Sequence, residues 1–253
     1  MKTKLSNIQA AKLQKLGFTS ASTQKNPARI ILSISGLEKC GKTHMALTAP
    51  GPIALFSTDI GEEGVIGKFI SEKDIMVMSV DRVDANAAEQ APKEFERFKT
   101  AYLALLRGDE VRTIVLDTAT EIWEILRMAR FGRITQVMPY QYGPVNAEYR
   151  ALIREAYSHN KNLILLHKMK AVYVNDKRTE EYERSGFSDT GFLVQINAQV
   201  YRYSKEDGGD FALFVKDCRQ NPDLNEEELV GPMCSFPILA QMVLPEVDPS
   251  NWE

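Results

Sequence analysis

The most definite chemistry in this sequence of 253 residues lies in the run Gly36-Leu37-Glu38-Lys39-Cys40-Gly41-Lys42-Thr43. It satisfies G-x-x-x-x-G-K-T in full, directly after an apolar β-branched run and directly before a helical pattern, as a phosphate-cradling loop requires. Gly36 and Gly41 let the backbone curl so that successive N–H groups converge on phosphate oxygens. Lys42 brings positive charge to the β- and γ-phosphates, and the Thr43 hydroxyl suits a Mg²⁺ ion. His44 opens the helix, whose N-terminal dipole adds to the attraction. Residues 36–44 therefore read as a nucleoside triphosphate site. Glu38 and Cys40 occupy positions whose side chains can point outward, and Cys40 reads as a small filler.

Three further groups extend that chemistry. The run Thr113-Ile114-Val115-Leu116-Asp117 is a buried strand ending in an acid. Downstream of a phosphate loop, Asp117 is expected to hold Mg²⁺ together with Thr43. The run Ile53–Ser57 leads into an acidic, glycine-flanked loop, where a carboxylate near the γ-phosphate can orient and deprotonate the attacking water. Glu63, Glu62 and Asp59 are the candidates in that order, and spacing does not choose among them. The run Leu163–Leu166 ends in His167, at the end of a parallel strand that faces the ligand crevice. His167 is expected either to contact the γ-phosphate or to cap the strand structurally.

The elements that must position these groups follow from periodicity. Ile30–Ser35, Ile53–Ser57, Ile75–Val80, Thr113–Leu116, Leu163–Leu166, Gln199–Tyr203 and Phe211–Val215 read as strands. Ala91, Phe95, Phe98, Tyr102, Leu105 and Leu106 make one apolar stripe on a helix that stops at Gly108. Strands separated by helices predict an α/β fold with a mainly parallel sheet and helices on both faces. The last two strands, joined through 205–209, predict an antiparallel hairpin at one edge. Residues 1–26 read as a basic N-terminal arm with a short helix over 5–16. Residues 27–220 read as the core, and 221–253 as an acidic, proline-rich C-terminal appendage with one short helix.

Charge is unevenly spread around a formal net of −3. Residues 1–35 hold six Lys/Arg and no acid, while 221–253 hold seven acids and no Lys or Arg. Such ends suit either a polyanionic partner or plain solvation. An isoelectric point near 5.8 argues against tight, unregulated DNA binding as the main property. Three scattered cysteines, Cys40, Cys218 and Cys234, build neither a disulfide framework nor a zinc site. No secretory signal and no membrane-length apolar run appears, so a cytoplasmic protein with no membrane partner is expected.

Read in order, GLEKCGKT at 36–43, STDIGEEGV at 57–65, TIVLDTATEIWE at 113–124, LILLHKMK at 163–170 and VKDCRQNPDL at 215–224 resemble the RecA-like branch of P-loop ATPases. They are most similar to the short phage-encoded RecA-core proteins of single-strand annealing and recombination. That resemblance implies ATP hydrolysis with Mg²⁺, single-stranded DNA as a partner, and a homo-oligomer or filament in the host cytoplasm. A single-strand-binding protein is a further possible partner. It implies DNA-contacting loops near 134–148 and 168–186, and a basic residue, Arg219 or Lys216, reaching a neighbour's ATP. The glutamate expected to activate water is displaced into the glycine loop, and no large DNA-binding extension is present. ATP-dependent DNA binding or annealing is thus better grounded than full strand exchange.

The local composition agrees in part. Arg150, Arg154, Lys161, Lys168, Lys170, Lys177 and Arg178 face only Glu155 and Asp176 over 150–178, with Tyr173, Tyr182 and Phe187 interleaved. Cations with aromatics suit a strand whose bases stack. Arg127, Arg130 and Arg133 share one helix face. Two alternatives stand beside this reading. One is a non-catalytic or loader-type ATP-binding module that docks a protein partner through the acidic tail. The other is a small-molecule P-loop kinase with a lid over 127–154, for which no acceptor-binding carboxylates are evident.

Overall fold

Branched apolar residues in short runs form strands when both sheet faces are covered, since every side chain then finds a dry surface. The computed structural model describes residues 5–21, 27–59, 62–83, 85–133 and 136–253. In it β1 (Ile31–Ser35), β2 (Ile53–Ser57), β4 (Thr113–Asp117) and β5 (Asn162–His167) are buried at every position. They belong to an eight-stranded sheet, which β3 (Ile75–Ser79), β8 (Ile196–Arg202), β9 (Phe211–Cys218) and β10 (Glu228–Val230) complete. The order is β10-β9-β8-β1-β5-β4-β2-β3. Pairing is parallel from β8 through β3 and antiparallel at β8–β9 and β9–β10. The strand preceding the phosphate loop and the strand ending in Asp117 are not neighbours, because β5 lies between them. That insertion is the RecA-like arrangement of a P-loop sheet, with the expected antiparallel edge.

Alternation along β1 sorts the layers. Ile30, Leu32 and Ile34 face a cluster with Met45 and Leu47 of α2 (Lys42–Leu47) and Phe236, Leu239 and Val243 of α7 (Phe236–Val243). Ile31 faces the other way, toward α3 (Ala91–Arg107), α4 (Ala119–Phe131) and α5 (Tyr142–Tyr157). Phe95, Phe98, Tyr102, Trp123 and Tyr149 fill that second layer. Ser33 and Ser35 share the Ile31 face but lie toward β8, where a small helix, α6 (Thr190–Leu193), gives only thin cover.

The segment 221–253 differs from its expected loose texture. Leu224, Leu229, Leu244 and Trp252 are buried in the same core as α2, and β10 extends the sheet. The physical reason is that Phe236, Leu239, Ala240 and Val243 recur at helical spacing, so prolines bound the elements here without keeping them apart. Asn251 is also tied to the body, where its carbonyl accepts from Arg112 Nη2 at 2.6 Å.

Residues 168–186, expected as a loop, form a separate antiparallel hairpin of β6 (Met169–Val174) and β7 (Lys177–Arg184). Its turn places Asn175 and Asp176 at φ 51° and 59°, the backbone of a two-residue type I′ connection. At the N-terminus, α1 (Asn7–Lys15) is closed by a capping box of Ser6 and Gln9 and buries none of its residues. Lys2, Lys4 and Lys25 of the basic arm lie outside the described residues. Among those described, no helix is long and apolar enough to cross a membrane.

Candidate functional site

The phosphate loop runs from the end of β1 into α2. Lys39 and Gly41 take positive φ, 57° and 95°, which turns the intervening backbone into a concave nest. Lys42 Nζ lies inside that curl, donating to the carbonyls of Gly36 at 3.0 Å and Leu37 at 2.6 Å. Leu37, Glu38 and Lys39 are exposed at the tip, whereas Cys40 is buried, its Sγ 2.9 Å from Leu37 O. A Cβ on Gly36 would meet that sulfur and the Val200 carbonyl at 2.5 and 2.6 Å, so only glycine fits there. His44 points away from the loop and packs edge-on against Phe69, at 5.0 Å between ring centroids.

Thr43 and Asp117 come together: Thr43 Oγ1 donates to Asp117 Oδ2 at 2.6 Å. The Asp117 carboxyl is raised above the usual aspartate range, first by burial and then by the like charges of Glu62 and Asp59, against the opposing pull of Thr43 and Lys42. Beside it Glu62 Oε2 is buried without a hydrogen-bond partner among the described residues. Asp59 is engaged by Arg82 at 2.6 Å, and Arg82 Nε also donates to Thr58 O. Glu63 is exposed. Ile60 and Gly61 of this loop lie outside the described residues. A hydroxyl, a buried carboxylate held against its own desolvation, and a second carboxylate oxygen with no partner form a hard-oxygen set that fits Mg²⁺. Thr43 and Asp117 would hold the ion, with Glu62 close by.

His167 ends β5, its Cα paired with that of Ser35, the residue before the loop. The ring is fully buried. Burial, with Arg184 adding to it, pushes its pKa down to about 3, so the imidazole is neutral. Nδ1 lies 3.3 Å from the Ser185 carbonyl, and Nε2 is buried without a partner among the described residues. Ser185 O also accepts from Thr120 Oγ1, which in turn accepts from the Lys168 amide. The start of α4, the end of β5 and the base of the hairpin are thus stitched together around this ring.

The remaining candidates are dispersed. Lys168 pairs with Glu121, Lys170 with Glu183 at 3.2 Å, and Arg150 Nε with Asp189 at 3.1 Å. Arg154 and Lys177 are exposed, and Arg178 lies over the Tyr182 ring, 5.8 Å from its centroid. Arg130 is bound to Glu148 of α5 and Glu96 of α3, Arg127 to Glu124 on α4 itself and to the Tyr142 hydroxyl of α5, and Arg133, just beyond α4, lies 3.8 Å from Glu89, so the stripe is engaged within the protein. Arg219 Nη2 donates to the Phe192 carbonyl at 2.7 Å. Lys216 lines a cleft of about 460 Å³ with Arg184, Asp217, Asn197, Ser33 and Phe192. No local pattern in the sequence marks Arg184. Its guanidinium joins the hairpin base to the sheet, donating to Asn197 Oδ1 at 3.0 Å and to the Ser188 carbonyl at 3.1 Å.

No curated protein matches the sequence significantly. Among solved structures, the chain is similar to the KaiC-like protein PH0186 of the hyperthermophilic archaeon Pyrococcus horikoshii OT3. The TM-score is 0.45 and the identity 11%, over 79% of this chain and 83% of that one. The AAA_24 family, described as an AAA domain, matches residues 28–200, a span that runs from β1 with its phosphate loop through Asp117 and His167 into β8. The chain therefore belongs to the AAA_24 family of AAA domains.

Proposed function

We propose that this protein hydrolyses ATP at the 36–44 loop and uses the cycle to bind and release single-stranded DNA, in recombination, annealing or replication. The observation that carries the reading is the path of one strand. β5 runs between the loop strand and the Asp117 strand, ends in His167, and continues without interruption into the β6–β7 hairpin. That hairpin exposes Tyr173, Val174 and Tyr182 beside Lys177 and Arg178. Flat rings interleaved with cations offer stacking and phosphate contacts together.

Each group has a task in this scheme. The loop amides and Lys42 hold the phosphates, and Thr43 and Asp117 hold the metal site. Mg²⁺, when bound, offsets charge on the phosphate oxygens. Glu62, with its unpartnered buried oxygen, is better placed than exposed Glu63 or Arg82-bound Asp59 to take a proton from the attacking water. His167, neutral and wedged against Ser185, passes a shift at the loop to the hairpin base, where Arg184 and Lys168 are anchored. Lys216, in the cleft with Arg184 and Asp217, and Arg219, just past the end of β9, are the cations that would reach the nucleotide of a neighbouring copy in an oligomer or filament. A single-strand-binding protein is a natural further partner for a protein acting on such DNA.

The test is an ATPase assay with and without single-stranded DNA across a salt series. The reading requires a DNA-stimulated rate whose stimulation falls as salt rises. Robust hydrolysis indifferent to nucleic acid would remove the DNA part of the proposal.

A further inference from the structure

An aromatic ring with no task so far lies beside the phosphate loop: Phe211, at the start of β9, is 37% exposed. Register supplies its neighbour, because Arg202 is the partner of Phe211 across β8–β9 and so shares its face of the sheet. The contact is close: a Cβ on Gly41 would come within 2.8 Å of the Phe211 ring. Arg202 covers that ring, its guanidinium carbon 5.1 Å from the centroid, and is steadied by Nε donating to Gly209 O at 2.9 Å.

A partly exposed aromatic ring lying on a phosphate loop and stacked with a guanidinium can take one more flat ring. We infer that the Phe211–Arg202 pair is the platform on which the base of the bound nucleoside triphosphate stacks. The inference rests on the reading of residues 36–44 as a triphosphate site and adds the base subsite to it. Stacking rewards ring area and tolerates different base edges, so the platform favours purine over pyrimidine triphosphates.

The experiment is calorimetric titration of the full chain, in Mg²⁺, with ATP and separately with inorganic tripolyphosphate, which carries phosphates and no base. Phe211→Ala weakens ATP about tenfold and leaves tripolyphosphate unchanged. Phe211→Tyr restores ATP binding. Arg202→Ala, at an exposed side chain of β8, gives the same split in smaller measure and stands in should Phe211→Ala fail to fold. Equal weakening of both ligands means that the ring only braces the loop and overturns the inference, as does unchanged ATP affinity. A wild-type chain that binds neither ligand overturns the triphosphate site itself, and a wild-type chain that binds both equally overturns the base platform alone.

Discussion

Thr43 Oγ1 and Asp117 Oδ2 stand 2.6 Å apart, although the two residues are separated by 74 positions in the chain. The contact joins the first turn of α2 to the end of β4 across the strand between them, and it is the centre of the site. Asp117 is buried, and like charges face it, so its ionised form is held at a cost that the Thr43 hydroxyl and the Lys42 charge offset only in part. An acid raised in this way binds its proton more tightly folded than unfolded. Its ionisation therefore costs nothing at pH values below the ordinary aspartate value and its full amount above the raised one. Asp117→Asn is expected to raise the melting temperature of the nucleotide-free protein at neutral pH, with the gain fading as the solution is acidified. The same change lowers hydrolysis about a hundredfold or more by weakening the metal site. Thermal scans from pH 3 to 8 beside an ATPase assay check both halves.

Lys42 separates binding from folding. Among the described residues its ammonium bonds the Gly36 and Leu37 carbonyls and the Cys40 sulfur, all within the loop. Lys42→Ala is expected to abolish measurable ATP turnover while shifting the melting temperature by no more than a couple of degrees, as for a surface substitution. A collapse of the fold would show that the loop depends on this side chain structurally.

The choice among acidic residues is open to direct measurement. Glu62 has a buried oxygen with no hydrogen-bond partner among the described residues and acts electrostatically on Asp117, Glu63 is exposed, and Asp59 is held by Arg82. Glu62→Gln should lower kcat about a hundredfold with little change in ATP affinity, whereas Glu63→Gln should stay within about twofold of wild type. Single-turnover hydrolysis with separately measured nucleotide binding distinguishes them. The reverse ranking would move the water-activating role to Glu63.

How much of this was legible in the residues depends on the range of the interaction. The loop chemistry is local, since glycine spacing and the following lysine and threonine state the backbone's needs within eight positions. Asp117 was legible because a buried strand must end near the loop and only its last residue can be polar. The ranking of Glu62 over Glu63 was hidden, because a glycine-flanked loop has no period from which to read direction. The grip of Phe211 on Gly41, and of Arg184 on Asn197, depends on sheet register between distant segments, which no local pattern displays. The C-terminal segment looked loose because its prolines punctuate it, yet Trp252 and Phe236 pack edge-on at 6.4 Å within the core. The hairpin after His167 was hidden for the opposite reason: its strands are exposed along most of both faces, so no hydrophobic alternation marks them.

His167 yields a pH prediction with a definite sign. Burial lowers its pKa to about 3, while the unfolded chain titrates near the ordinary histidine value of 6.5. Below 6.5 the unfolded state takes up a proton that the folded state refuses, so stability falls as pH drops from 6.5 toward 3. The loss amounts to a few kcal/mol at the acid end, growing by roughly 1.4 kcal/mol for each pH step of one below 6.5. His167→Gln removes the titration and should flatten the stability profile over that window, as read by urea unfolding at each pH. If the ring also transmits the state of the loop, the variant keeps basal hydrolysis and loses stimulation by DNA.

The hairpin is where the DNA reading is most exposed to refutation. Lys177 and Arg178 follow the tight Asn175–Asp176 turn, with Tyr173 and Tyr182 nearby on the same two strands. Neither cation is in an ion pair among the described residues; Arg178 contacts only Tyr182, through its ring and its hydroxyl at 2.8 Å. Two cations held at a projecting tip contribute about 0.7 each to the dependence of log affinity on log salt for a single strand. Lys177→Ala with Arg178→Ala should therefore reduce that slope by about 1.4 and weaken binding at low salt about tenfold. Tyr173→Ala should weaken binding without changing the slope, because stacking releases no counterions. Since the tip residues are exposed, neither change should alter basal ATP turnover or melting. A double variant with unchanged slope would place the single strand elsewhere on the molecule, and an altered slope with unaltered ATPase stimulation would uncouple the hairpin from the loop.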